Sequence, residues 1–502
     1  MDYHNHCKEE RWELGWALAI LLRQGAALAA RISFEGWVGP QEIYKERYIY
    51  LPFQVPTGAS RIFVRYDFEE PVTAPLGMGP GNTVDIGIFD PRGMEFPEAP
   101  GFRGWSGSAK REFFISPEAA TPGYIPGPLY PGRWHIILGF ERVQETGVRY
   151  RVEIEVESGR EATIAPLEEA TQPPKGRVRG GRFLRGDLHC HSIHSDGLNT
   201  VQELVQNALE RRLDFLAITD HNTCTHHRDL AALSHLPIVL IPGEEVTTYW
   251  GHANTWGLQR FVDFRCTDAE SMRTLLRFVE ERGGIMSINH PKSVGHPWLL
   301  DLWEGFSFME VWQAPWRFYN WESLERWDLL LCRGQRVVGV GGSDVHSIPP
   351  APPLHPHGLG NPTTWAYVPT PWATAEDVLA ALRRGHVFIS AEPEGPRLIL
   401  RADADGDGRY EVLMGDTVTL DAEASLEILV EVEGGTGRRL WLVSDGLPMA
   451  IVPLEGDRYL YRARVPVAAR RYLRAELRGP RGHPQRGEVV WALTNPIWFH
   501  SP

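Results

Sequence analysis

The chain has 502 residues, a formal net charge of −13, 43% hydrophobic and 23% charged residues, a globular composition whose length suits about three domains. Basic residues concentrate only at 177–185, which excludes a protein that tracks long nucleic acid along a basic face. No stretch reaches the roughly eighteen apolar residues of a membrane span, and five scattered cysteines (7, 190, 224, 266, 332) without CxxC spacing exclude a disulfide framework and point to a reducing, cytoplasmic setting.

In chain order, residues 1–35 read as an N-terminal helical segment. The apolar run 16–30 is broken by Arg23 and Gln24, and the acidic residues Asp2, Glu9, Glu10 and Glu13 before it are wrong for a signal peptide. Residues 36–160 hold short alternating runs such as Arg61-Ile-Phe-Val-Arg-Tyr, separated by Gly/Pro turns, the pattern of a β-sandwich or jelly roll. A Pro/Gly/Arg-rich linker covers 161–182. Residues 183–392 alternate buried strands with helices over 201–212, 268–282 and 374–384, the first two opened by Thr200 and Asp268. That alternation implies an α/β unit with a parallel sheet or barrel, whose site lies at the strand C-termini. Residues 393–502 return to alternating strands, a second β-sandwich. Asp403, Asp405 and Asp407 form DADGDG, but the twelfth position of such a loop is Met414, so a hairpin turn is expected rather than a calcium loop.

Chemistry gathers at the strand ends of 183–392. The run ending at Asp187 continues Leu-His189-Cys190-His191. Residues i and i+2 of an extended chain share a face, so both imidazoles reach one point and Cys190 turns away to pack. Phe215-Leu-Ala-Ile-Thr ends in Asp220-His221. Ile238–Gly243 ends in Glu244-Glu245, with His252 following in Gly-His-Ala-Asn. Ile285–Ile288 ends in Asn289-His290, and Val337–Gly342 ends in Ser343-Asp344-Val345-His346. Imidazole and carboxylate without thiolate suit Zn, Mn or Fe in an open site. A cluster of this kind holds two metals about 3.5–4 Å apart, lowers the pKa of a water toward about 7, and presents hydroxide to an ester.

The ordered motifs DLHCHSIHSDG, ITDHN, PGEEV, INHP and GGSDVH resemble the polymerase and histidinol phosphatase (PHP) superfamily of metallohydrolases, over roughly residues 183–392. The resemblance implies a distorted TIM-like barrel of about seven βα units flanked by the two β-sandwiches, with two or three divalent ions. It implies His189, His191, Glu245 and Asp344 around one metal, Glu245 bridging to a second held by His252 and His290, and Asp196, His221 and His346 around a third. The phrases FRGWSGS (102–108), LGNPTTW (359–365) and TNPIW (494–498) resemble the carbaryl hydrolase-like branch.

Around the metals, His194, His226 and His227 are acid/base candidates, Lys292 and Arg317 are candidates for gripping an anionic substrate, and Asp220 is expected to orient a ligand imidazole. The aromatic stretch Trp312–Trp321 offers a pocket wall. His355 and His357, in the Pro-rich segment 348–357, are poor ligand candidates. The expected activity is phosphoester hydrolysis on a small phosphorylated substrate. Hydrolysis of a carboxylic or carbamate ester is the alternative, and non-catalytic binding of carbohydrate or a surface ligand is the third reading.

Overall fold

The computed structural model describes residues 29–71, 81–159, 177–348, 358–419, 425–480 and 488–500, and the statements below refer to these. Residues 1–28 of the expected N-terminal helical segment (1–35), 161–176 of the linker (161–182) and 349–357 of the Pro-rich segment (348–357), with His355 and His357, lie outside the described residues. Residues 29–35, assigned from sequence to the helical segment, are instead part of a strand, Ala29–Val38, paired along its length with Val148–Ser158. At the other end of the linker, Val178–Arg179 pairs with Trp372–Ala373, and Arg182 already opens a strand.

The first unit is built from period-two alternation. In Val148–Ser158 the odd members Val152, Ile154 and Val156 are buried while Arg149 and Arg151 face water. Four such strands pair antiparallel in the order Ala29–Val38, Val148–Ser158, Ala59–Phe68, Glu112–Ile115. A second sheet runs Tyr48–Val55, Gly132–Arg142, Thr83–Phe89, Phe102–Gly107. Ile62, Val64, Ile86, Ile136 and Ile154 belong to their shared core.

The central unit carries strands β1 (Arg182–Asp187), β2 (Phe215–Ile218), β3 (Val239–Thr248), β4 (Gly251–Trp256), β5 (Ile285–Ile288), β6 (Phe308–Gln313) and β7 (Val338–Gly342), adjacent in that order. Pairs β1–β2, β2–β3, β5–β6 and β6–β7 are parallel, as alternation predicts. Pairs β3–β4 and β4–β5 are antiparallel, because β3 turns straight back through Tyr249-Trp250 without a crossover helix. The unit is thus a mixed, strand-rich α/β sheet. Its row curls until the chain after β7 meets the chain after β1: Asp344 N donates to His189 O at 2.8 Å and His191 N to Val345 O at 2.9 Å.

Helices α1 (Val201–Glu210), α2 (His227–Ala232), α3 (Ala269–Glu281), α4 (Asn320–Cys332) and α5 (Ala375–Arg383) lie between or after these strands. Thr200, Asp268 and Thr374 cap α1, α3 and α5 with capping boxes. The aromatic stretch expected as a pocket wall divides between β6, a short turn and α4. Trp312, Trp316 and Trp321 are buried in the main core, since an apolar ring at a strand end gains more from burial than from solvent.

Strand β8 (Thr363–Val368) pairs antiparallel with β1 and with β9 (Val387–Ser390), and β9 pairs with Val489–Thr494. One sheet of the C-terminal sandwich is therefore continuous with the central sheet, so the expected break at 393 is not a break in hydrogen bonding. The opposing sheet holds Arg397–Asp403, Val412–Leu413, Ser425–Glu433 and Arg458–Pro466. At the DADGDG turn, Asp403 accepts from Gly406 N and Gly408 N, both at 2.8 Å.

Candidate metal centre

Glu245 stands at the middle of the curled row, 0% exposed, on the β3 segment that parts from β2. Its Oε1 lies 3.3 Å from His189 Nε2, 3.3 Å from His252 Nδ1 and 3.4 Å from His290 Nε2. Its Oε2 lies 3.5 Å from His191 Nε2 and 2.8 Å from His221 Nδ1, although the hydrogen bond of that nitrogen runs to Thr247 Oγ1 at 2.5 Å. Glu244 points the other way and accepts from Val262 N at 3.0 Å.

Asp344 Oδ1 lies 2.9 Å from His191 Nε2 and 3.3 Å from His189 Nε2. Asp196 Oδ1 lies 3.4 Å from His346 Nε2 and 3.7 Å from His221 Nε2. The structure therefore brings together all nine residues expected as ligands. Three overlapping sets have donor atoms within 4.8 Å of one another and can hold an ion: His191, Asp196, His221 and His346; His189, His191 and Glu245; His221, Glu245 and His252. The first adds His191 to the trio that the resemblance implies, and His191 belongs equally to the second set, with His189 and Glu245.

Local structure explains the aim of each side chain. His189 Nδ1 donates to Glu310 Oε1 at 2.9 Å, which leaves Nε2 as the lone-pair nitrogen facing Glu245. Glu310 also accepts from His290 N at 2.9 Å, and Asn289 Nδ2 donates to Glu245 Oε1 at 2.8 Å. Asp187 accepts from His189 N, Ser343 N and Gly360 N, tying β1 to the chain after β7. His290 and Asp344 both adopt positive φ (29° and 54°), a conformation that costs about 1–3 kcal/mol and persists where surrounding bonds hold it.

The electrostatics favour a cation. Burial opposes charge on His221, yet Glu245 and Asp196 outweigh it and raise its pKa to about 9. Burial likewise opposes charge on His189, but Asp344, Glu245 and Glu310 hold its pKa well above the usual histidine value. His189 Nε2 and Glu245 Oε2 are buried without a hydrogen-bond partner. Buried polar atoms left unmatched at a convergence point are costly, and an ion there would take the place of the protons that the carboxylates draw onto His189 and His221, so the donor set fits divalent metal. Cys190 is buried on the opposite face, its Sγ 3.5 Å from Ala217 O.

The residues expected to surround the metals fare differently. His194 is occupied by Thr225 Oγ1 at 2.8 Å and Asp229 Oδ2 at 3.0 Å. His226 Nε2 donates to Ile218 O at 3.0 Å, with Nδ1 3.0 Å from Asp220 Oδ2, and His227 Nε2 donates to Gly243 O at 2.9 Å. All three are buried and engaged in holding loops, so they do not face the cluster as acids or bases. Asp220 accepts from Ser192 N, Ser192 Oγ and Ser195 Oγ at 2.6–2.7 Å; it shapes the 192–195 turn and abuts His226 rather than orienting a ligand imidazole. Lys292 gives its hydrogens to Gln313 O at 3.2 Å, Gln313 Oε1 and Asn320 Oδ1 at 3.3 Å, and Gln313 Nε2 in turn donates to Asp344 Oδ2 at 2.7 Å. It is an internal prop, not an anion clamp. Arg317 is exposed, its guanidinium 5.3 Å from the Phe318 ring centroid.

Sequence reading missed Glu310, Asp187, Gln313 and His296. The His296 ring stacks on His252 at 4.8 Å and lies 3.8 Å from Glu141 of the first unit. Glu310 sits within the apolar run Phe308–Trp312, where only its charge could have drawn notice.

Residues 187–276 match the family model of the PHP domain. Over 67 residues the chain is 46% identical to the 5′-3′ exoribonuclease Rnm of Salmonella typhimurium and 45% identical to that of Escherichia coli. Each stretch covers 13% of this chain and 23% of the relative, so the chain spans about a quarter of the length of the curated relatives it matches. A solved two-domain protein from Bacteroides vulgatus, containing a predicted PHP-like metal-dependent phosphoesterase, shows 16% identity and a TM-score of 0.36, covering 65% of this chain and 99% of its own.

Proposed function

We propose that this chain is a metal-dependent phosphoesterase acting on small phosphorylated substrates, its central sheet a distorted barrel of the PHP kind. The observation that carries the reading is the convergence of six histidines on three carboxylates, the buried Glu245, the partly buried Asp344 and the exposed Asp196, with His189 Nε2 and Glu245 Oε2 buried without a hydrogen-bond partner. His189, His191, Asp196, His221, Glu245, His252, His290, Asp344 and His346 would hold two or three divalent ions, with zinc, manganese or iron suited to the donors. When bound, such ions supply a water of lowered pKa and neutralise charge on the phosphoryl oxygens.

The chain's own part is positioning. Glu310 fixes the tautomer of His189, Asn289 fixes the rotamer of Glu245, and Gln313, backed by Lys292, fixes Asp344. Together they hold the donors before any ion arrives, which is what electrostatic preorganisation requires. The partial match to exoribonucleases supports phosphoester chemistry, while the net charge of −13 favours a small substrate over a long strand.

A second reading, hydrolysis of a neutral carboxylic or carbamate ester, is favoured by one observation: the buried Asp85 and the nearby Glu141 place acidic groups on the sandwich side of the site. Assays of the metal-loaded protein with 4-nitrophenyl phosphate and 4-nitrophenyl acetate separate the two. Phosphate-ester turnover, abolished in His191→Ala with the circular dichroism spectrum unchanged, is the expected result. Turnover of the acetate alone overturns the phosphoesterase reading, and full turnover by His191→Ala overturns the site.

A further inference from the structure

The N-terminal sandwich leans directly on the metal centre. Phe102 of the sandwich stacks on Phe261 with ring centroids 3.5 Å apart, and one hydrophobic core runs through Phe89, Trp105 and Ile137 into Val246, Phe264 and Ala253. Tyr249, in the β3–β4 turn, donates to Asp85 Oδ2 at 2.8 Å, and Thr223 Oγ1 donates to Gly123 O at 3.4 Å. The residues after strand Phe102–Gly107 then carry Lys110 to the turn that presents Asp196: Lys110 Nζ donates to Ser195 O at 2.7 Å.

Lys110 is one of five lysines in the chain. Its ammonium carries three hydrogens, of which Ser195 O takes one. Among the described residues no other hydrogen-bond acceptor engages it, in contrast to Lys292, whose hydrogens are all spent on Gln313 and Asn320. Burial pushes the Lys110 pKa down, while Asp220 and Asp196 act in the opposite sense. A cation with free hydrogens, anchored one residue from Asp196, suits the oxygens of a phosphoryl group.

We propose that Lys110, supplied by the N-terminal sandwich, binds the phosphoryl group of the substrate at the Asp196 side of the metal centre. The inference rests on the phosphoesterase reading and gives the sandwich a part in the active site. It also reconciles that reading with the acidic Asp85 and Glu141, because one sandwich loop returns positive charge where the anion must sit.

The test uses the full, metal-loaded chain as wild type, Lys110→Gln and Lys110→Arg. Glutamine keeps a donor for Ser195 O and removes the charge. Inorganic phosphate binding is measured by calorimetry and 4-nitrophenyl phosphate hydrolysis by steady-state kinetics, alongside metal content and melting temperature. Lys110→Gln is expected to raise the phosphate Kd and the substrate KM about tenfold, as loss of one charge-assisted bond does. Metal content and melting temperature stay at wild-type values, and Lys110→Arg recovers most of the binding. If the wild type hydrolyses the phosphate ester and Lys110→Gln binds phosphate equally well, the Lys110 assignment falls while the phosphoesterase reading stands. A Lys110→Gln protein that loses metal and melts lower, unrepaired by arginine, marks a structural prop and also overturns it. A wild type that hydrolyses no phosphate ester and binds no phosphate removes both.

Discussion

Glu310 shows how one buried carboxylate sets the state of a neighbouring imidazole. It receives the Nδ1 hydrogen of His189 and the backbone N–H of His290, so two strand ends take their orientation from one side chain. Glu310→Gln removes the charge that raises the basicity of His189 and puts an amide where two donors converge. Metal affinity should fall by about tenfold to a hundredfold with the fold intact, read from competition titration against a chromogenic chelator. An unchanged affinity would show that His189 needs no such support. His227 tests burial at the same scale. Burial, with His226 adding to it, lowers its pKa to about 3, and its Nδ1 has no partner to receive it when charged. Its folded pKa lies below the unfolded value of about 6.5, so the unfolded chain takes up the proton first. Its contribution to stability is complete above about pH 6.5 and is lost as pH falls toward about 3. Melting temperature measured against pH should fall less steeply below pH 6.5 in His227→Gln than in the wild type. Parallel curves would mean that His227 does not titrate in this way.

Strand ends and turns determine what could be read in advance. His189, His191, His221, His290, Asp344 and His346 each follow a short apolar run, so the change from apolar to ligand-type residues marks both the strand terminus and the donor. The β3–β4 hairpin was not legible, because β4 (Gly-His-Ala-Asn-Thr-Trp) has no apolar run to mark it as a strand, and the tight Tyr249-Trp250 turn carries no distinctive pair beyond Gly251. His194, His226 and His227 stand at the same strand ends as the cluster, and sequence has no means of showing that Thr225, Asp229, Ile218 O and Gly243 O already engage them. Lys110 was invisible for a different reason: its partner Ser195 is 85 residues away, in another unit. The sandwich loops approach so closely that glycine is required at 123. With φ at 95°, a Cβ there would lie 2.6 Å from His194 O and 2.9 Å from Trp105 O. Gly123→Ala should cost about 1–3 kcal/mol in chemical denaturation and weaken activity by moving the 192–196 turn. An alanine variant of wild-type stability would mean that the two units do not meet as closely as drawn.

At the scale of the whole molecule, the three units are joined by more than linkers. The C-terminal sandwich shares a sheet with the central unit through β9 and Val489–Thr494, and the N-terminal sandwich shares its core with the loops that follow β4. Such continuity fixes the curled row of β1 to β7, and with it the spacing of donors on or just after six of its strands. Small interior sites on this pattern gain from rigidity, because donors held in place before binding lose little freedom when an ion arrives. The proposed role of the convergence on Glu245, a metal centre that hydrolyses phosphate esters, is open to direct measurement. The most direct measurement is the metal content of the full chain purified without chelator, by plasma mass spectrometry, for wild type and Glu245→Gln, with 4-nitrophenyl phosphate turnover on the same samples. The expected result is about two or three equivalents of transition metal in the wild type, with metal and turnover both falling sharply in Glu245→Gln. A wild type free of bound metal, or a Glu245→Gln protein that keeps both its metal and its turnover, would contradict it.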